Sequence, residues 1–240
     1  MGALLIVALL VSILPSALSD RYGKGPYCEG GTASYEEVWK VLDPIGDLRW
    51  RLVRGKQQNG PGGAKMPRPL EMREVMWKCH LEKEAIALVG GRCLETVPAT
   101  PANRTELVLR LTGGKHHSYD SVMSVWTKEL DRTPMKESAI GPDNVKYDGQ
   151  VRLWDYANLA RGLITGIGCA QTTCSHNGPN SATKHATLCL MNKPPLGVDD
   201  VIYEIDKHVG CQSDAECPYP LVCDKEYGDC ASSWQPDTSA

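Results

Sequence analysis

"ANLARGLITGIGCAQTTC", Ala157 to Cys174, is the stretch on which the reading of this chain turns. Its first half belongs to "VRLWDYANLARGL", residues 151–163, which reads as a helix that stops at Gly162. The second half sets Gly166 and Gly168 beside Cys169 and runs on into Thr172 and Thr173, which suit a half-buried pleated strand. Two more segments of that kind follow, "HATLCLMN" (185–192) and "DVIYEID" (200–206), set apart by Gly, Pro and Asn. Together the three predict a small sheet whose members are tied by Cys169, Cys174 and Cys189.

Upstream the pattern is helical. In "SYEEVWKVLDPIGDLRWRLVRG" (34–55), Val38, Val41, Ile45, Leu48 and Leu52 recur at three- and four-residue spacing. Ser34 and Glu37 are spaced as a capping box, Gly55 is a stop, and Pro44 predicts a kink or break. The Gly- and Pro-dense "GKQQNGPGGAKMPRP" (55–69) predicts an exposed turn. "LEMREVMWKCHLEKEAIALVGGRC" (70–93) resumes the helical period through Met72, Val75, Met76, Cys79 and Ile86, which puts Cys79 on the buried face. "LETVPATPANRTELVLRLTGGKHH" (94–117) is loop-like. In "SYDSVMSVWTKELD" (118–131), Tyr119, Val122, Trp126 and Leu130 form one helical stripe with Ser118 as N-cap.

The chain opens "MGALLIVALLVSILPSALSD", an apolar run followed by small residues, so residues 1–19 are expected to be a removed signal peptide. Ten cysteines (28, 79, 93, 169, 174, 189, 211, 217, 223 and 230) all follow that segment. An even count in an exported chain predicts disulfides, with the connectivity open. "ANRT" makes Asn103 an N-glycosylation acceptor in a surface loop. The expected location is therefore extracellular. "GCQSDAECPYPLVCDKEYGDC" (210–230) has few apolar side chains, so bridges rather than burial must hold it; its spacing is not that of paired zinc knuckles.

With 26 basic and 29 acidic residues, a net charge of −3, the chain has no basic stripe for nucleic acid. No Gly-x-Ser-x-Gly elbow or phosphate-cradling glycine loop occurs, and oxidised cysteines are not nucleophiles. His116 and His117 read as solvated, and His80 with Glu84 as a surface pair. No catalytic residue, metal or cofactor is expected.

One family matches the order of these segments. "DLRWRLVRG", "MREVMWKCHLEKEA", "GGRC", "SVWTKEL", "ANLARGLITGIGCAQTTC", "ATLCLM", "IYEI" and the cysteine knot succeed one another as in the CAP superfamily. The chain resembles most the activation-associated secreted, or venom-allergen-like, proteins of parasitic nematodes. The resemblance implies an α+β fold: an α-β-α sandwich with a small, mainly antiparallel sheet over residues 20–205, and a cysteine-rich extension over 206–240. It also implies a central cleft where many members place two His and two Glu able to hold a divalent cation.

Carried over residue by residue, that set is degenerate. The two histidine positions fall on Ile45 and Asp155, and the two glutamates on Glu129 and Glu106. Glu106, Glu129 and Asp155 would then face one cleft and repel unless protonated, solvated, or neutralised by a hard cation or a base such as Arg49. The resemblance further points to a sterol-contacting loop at "NKPPLGVDD", where Pro194, Pro195 and Leu196 are expected to form an exposed apolar patch. Loops 55–69 and 94–117 are expected to vary freely and carry recognition. The implied function is host modulation by a secreted, non-enzymatic protein that binds a host extracellular protein or a lipid or sterol. Two other functions stand beside it: a toxin-like channel or protease inhibitor acting through the C-terminal knot, and a metal-dependent hydrolase.

Overall fold

The computed structural model describes residues 25–90, 101–112, 118–174, 183–207, 211, 213–217, 219, 221–224 and 229–232. The expected leader 1–19, Cys93, His116, His117, His176, His208 and the Cys230 side chain lie outside the described residues.

Helix α1 spans Tyr35–Val53 and begins at the predicted capping box, with Ser34 and Glu37 each bonded to the other's main chain. The predicted stripe Val38, Val41, Ile45, Leu48 and Leu52 is buried. Pro44 does not break the helix: it lies off the buried stripe, and the apolar residues on either side hold both halves against the same core.

A four-stranded sheet forms the middle layer, in the order β1 (Met76–Trp77), β4 (Gly166–Cys174), β5 (Lys184–Met191), β2 (Thr105–Thr112). β1 runs parallel to β4, and the other pairings are antiparallel. Each face has its own core. Residues Leu107, Ile167, Cys169, Cys189 and Met191 join α1, α3 (Tyr119–Thr127), α4 (Glu129–Arg132) and α5 (Trp154–Leu159). On the other face, Ala170, Ala186, Leu188 and Leu190 meet Leu81, Ala85 and Val89 of α2 (Cys79–Val89). The alternation of strand side chains thus produces two helical layers around one sheet.

Gly168 explains the glycine pattern at the junction. A Cβ there would lie 2.2 Å from the Glu82 amide nitrogen, so α2 rests its backbone directly on β4. Likewise a Cβ at Gly162 would lie 2.5 Å from the Glu71 carbonyl oxygen.

Several sequence expectations are corrected. The helix predicted from Leu70 starts only at Cys79, because Met76–Trp77 pairs instead with Gly166 and Ile167. Cys79 is exposed at the head of α2 and bonded to buried Cys28. The loop expected over 94–117 contains strand β2, whose eight residues pair with β5. β6 (Val201–Glu204) does not join the main sheet but pairs with β3 (Asn144–Lys146), while Ile205 bridges Pro69. Ser118 holds the N-cap position of α3 without a side-chain bond to its backbone.

The turn over 55–69 is anchored rather than free. Asn59 accepts from the Met135 amide at 2.7 Å and donates to its carbonyl at 2.9 Å, and Gln57 and Met66 are buried.

Cys169 and Cys189 face each other across β4 and β5 and are bonded. In the C-terminal region, Cys211 is bonded to Cys223 next to the hairpin β7 (Leu221–Asp224) and β8 (Asp229–Ser232). Cys174 and Cys217 are also disulfide-bonded, and no described cysteine is free. Among the described residues, no helix is long and apolar enough to cross a membrane.

Candidate functional site

Beside β2, at the edge of the sheet, lies an open cleft of about 650 Å³. Arg104, Glu106, Val108 and Arg110 alternate along one wall, and Val151, Trp154, Asp155 and Pro195 line the other. Arg104 reaches across to Glu84 of α2 at 3.1 Å, which fixes the start of β2 against that helix. Glu106 directs one carboxylate oxygen, Oε2, into a buried position with no hydrogen-bond partner among the described residues.

Asp155 is the second residue of α5, and Glu129 is the first of α4. Their side chains hydrogen-bond to each other, and Glu129 also accepts from the Tyr156 amide at 2.8 Å. Burial raises both carboxyl groups well above the usual range, and the Asp155 charge raises Glu129 further, to about 9. At neutral pH the pair therefore holds a proton between its two groups. Glu129 and Asp155 meet, and the proton in their contact relieves the repulsion between these two, while Glu106 lines the cleft together with Asp155.

Ile45 is absent from this cleft. It is 1 % exposed, sits in the α1 core and borders a different groove. Arg49 does not neutralise the carboxylates either. It is buried and donates to the carbonyl oxygens of Arg73, Leu159, Arg161, Gly162 and Ile164, with Nη1–O distances of 2.8 Å to Leu159 and Arg161. Its burial lowers the guanidinium pKa to about 10. Arg49 thus satisfies the main chain at the end of α5 and beyond it, around the glycine junction.

The residues present do not fit a divalent cation held by imidazoles. Ile45 carries an alkyl side chain in the core and Asp155 a proton-sharing carboxyl, and no described group of three His, Cys, Asp or Glu is placed to hold a metal. His80 is exposed. His185 is buried, its Nδ1 3.0 Å from the Thr173 hydroxyl.

The loop carrying Pro194, Pro195 and Leu196 also differs from expectation. Pro194 and Pro195 are exposed, but Leu196 is 4 % exposed and anchored in the α1-side core. Val198 is exposed in this loop beside the two prolines. Asn103 is exposed in the turn before β2, a position open to modification.

One structurally central residue had only a weak sequence signal. Glu82 is fully buried and accepts from the amides of Thr32 (2.7 Å) and Ala33 (2.9 Å) and from the Trp77 indole (2.9 Å). It ties the entry to α1, β1 and the head of α2 at one point. In the sequence Glu82 stands out only as part of the family-like segment Trp77-x-Cys79-x-Leu81-Glu82, with nothing to say that it is buried.

The two-faced sheet, the junction at Gly168 and the cleft can be set beside known structures. Na-ASP-1 superposes with a TM-score of 0.59 at 21 % identity, over 88 % of this chain and 49 % of that one. BmVAL-1 gives 0.59 at 20 % identity, over 86 % of this chain and 99 % of its own length. This chain has the CAP fold.

NaASP2, solved with Zn2+, shares the CAP fold at a TM-score of 0.59 and 19 % identity, over 86 % of this chain and 100 % of that one. The chain spans about half the length of Na-ASP-1. Compared with protein-family models and with curated proteins, the sequence matches none.

Proposed function

We propose that this chain is a secreted, non-enzymatic CAP-fold protein of a parasite that acts on a host by binding an extracellular host protein or a lipid or sterol. The observation that carries this reading is the state of the cleft. On the mapping that the resemblance implies, Asp155, which shares a proton with Glu129, and Ile45, buried in the α1 core, stand in place of the two imidazoles, so the histidine ligands of a zinc site are not assembled.

The disulfides and the apolar N-terminal run support export, with residues 1–19 as the leader, 20–205 as the CAP unit and 206–240 as the cysteine-rich extension. Asn103 is the proposed glycosylation site. Glu106 and Asp155 line the cleft, Glu129 holds Asp155 through their shared proton, and Pro195, beside exposed Pro194, stands on its apolar side.

Capture from host serum and from cell-surface extracts, run beside a sterol-binding assay on the same preparation, tests the reading. A saturable host protein or sterol is expected. Chelator-sensitive proteolysis abolished by Glu129→Gln would overturn it.

A further inference from the structure

A second groove, of about 820 Å³, runs along the outer face of α1, apart from the cleft. One wall is a single stripe of that helix: Trp39, Asp43, Asp47 and Trp50 follow at helical spacing and all face solvent. The extended segment 72–78 forms the other wall, with Glu74 on it, and Tyr27 closes one end. Four large apolar side chains stand half exposed around this groove: Tyr27 at 47 %, Trp39 at 43 %, Trp50 at 50 % and Met76 at 48 %. Such a gathering differs from the scattered single exposures of an ordinary surface.

The charges on the groove point to its occupant. Asp43, Asp47 and Glu74 are exposed, and no hydrogen bond or ion pair engages their side chains within the described residues. Two of the cations on the groove are turned to other tasks: Arg49 is spent on five main-chain carbonyls, and Arg73 is paired with Glu71 at 2.5 Å, which leaves Lys78 as the third cation of the lining beside three carboxylates. Aromatic faces beside unpartnered carboxylates suit guanidinium groups, which stack on rings and accept carboxylate partners together. Trp50 already takes a cation on its ring: the Lys56 ammonium lies 5.1 Å from its centroid.

We propose that the groove between the outer stripe of α1 and segment 72–78 docks a basic, arginine-bearing segment of a partner protein. This rests on the reading that the chain acts by binding, and it adds the face used and the chemistry of the partner. Guanidinium planes stack on Trp39 and Trp50 while Asp43, Asp47 and Glu74 receive their N–H groups, and Met76 and Tyr27 cover the aliphatic stems.

The test uses the full mature chain and a fluorescein-labelled hexa-arginine peptide, with hexa-lysine and hexa-glutamate peptides alongside, at physiological salt. Saturable binding of the arginine peptide is expected, several-fold tighter than lysine, with none for glutamate. The double variant Asp43→Asn/Asp47→Asn should weaken it about tenfold, and Trp50→Leu by a similar factor. The control Glu137→Gln/Glu204→Gln removes the same charge from exposed sites outside the groove and should change binding less than about twofold. All four positions are exposed carboxylates, and circular dichroism checks that each variant folds.

Equal weakening by the two double variants, equal affinity for lysine and arginine peptides, or no effect of Trp50→Leu would overturn the proposal. So would a dansylated fatty acid that binds the groove in a Trp50-dependent way while the arginine peptide does not. Host-protein capture that survives Asp43→Asn/Asp47→Asn would remove this groove while leaving the proposed function standing.

Discussion

At the scale of single residues, two buried charges do opposite jobs with the same logic. Glu82 is an acceptor-only group surrounded by three N–H donors, and Arg49 is a donor-only group surrounded by carbonyl oxygens. Neither has an ionic partner in these contacts; main-chain dipoles and one indole offset the cost of removing each charge from water. Replacing the Glu82 carboxylate by a carboxamide turns an N–H toward N–H donors. Glu82→Gln is therefore expected to cost about 2–3 kcal/mol, read as a lowered urea midpoint at unchanged slope. The near-UV circular dichroism should change as well, because Trp77 loses its acceptor. The charge types were visible in the sequence, but "DLRWR" and "HLEKE" look like ordinary solvated helix surface. Only the packed chain brings Thr32, Ala33 and Trp77 to Glu82.

At the scale of elements, the legible parts were those whose signal is local. The α1 stripe, its capping box, the α3 stripe and strands β4 and β5 follow from spacing and composition alone, because each buries one face against whatever lies beneath. Elements that depend on a partner were misread. β1 holds only Met76 and Trp77, and its helical-looking period is overridden by hydrogen bonds to β4. β2 alternates Leu107, Leu109 and Leu111 in plain view, yet the surrounding Pro, Gly and Asn favoured a loop. β6 has the composition of a sheet member but pairs with β3, since Ile205 and Asp206 are held by Pro69 and Arg68 instead. Gly168 is the point where α2 and β4 touch, and Gly168→Ala is expected to destabilise by about 3 kcal/mol. Thermal unfolding checks this, with Gly25→Ala as control, because a Cβ at Gly25 meets nothing within 4 Å.

At the scale of the whole molecule, the cleft couples stability to pH. The Glu129 and Asp155 carboxyls titrate higher in the fold than the ordinary values of 4.5 and 3.8. Between those values and about 9, the folded state holds more protons than the unfolded chain. Stability contributed by this pair is thus greatest at low pH and falls as pH rises through that window. Glu129→Gln keeps an acceptor for the Tyr156 amide and a donor for Asp155. It should flatten the slope, raising the melting temperature at pH 8 and changing it little near pH 4. A variant that instead melts lower at pH 8 would show that the pair is not protonated in the fold.

The sequence by itself determined the secondary structure with strong local period and the oxidised character of the cysteines, and it sets Ile at 45 and Asp at 155, where the resemblance implied imidazoles. Those properties reside in neighbouring residues and in side-chain chemistry, so no packing is needed to see them. Only the tertiary structure decided that Ile45 and Arg49 turn away from the cleft, that Leu196 is core and not surface, and that Glu129 and Asp155 touch. Each of those depends on side chains from distant segments meeting in a medium with little water, where burial and a shared proton set the outcome.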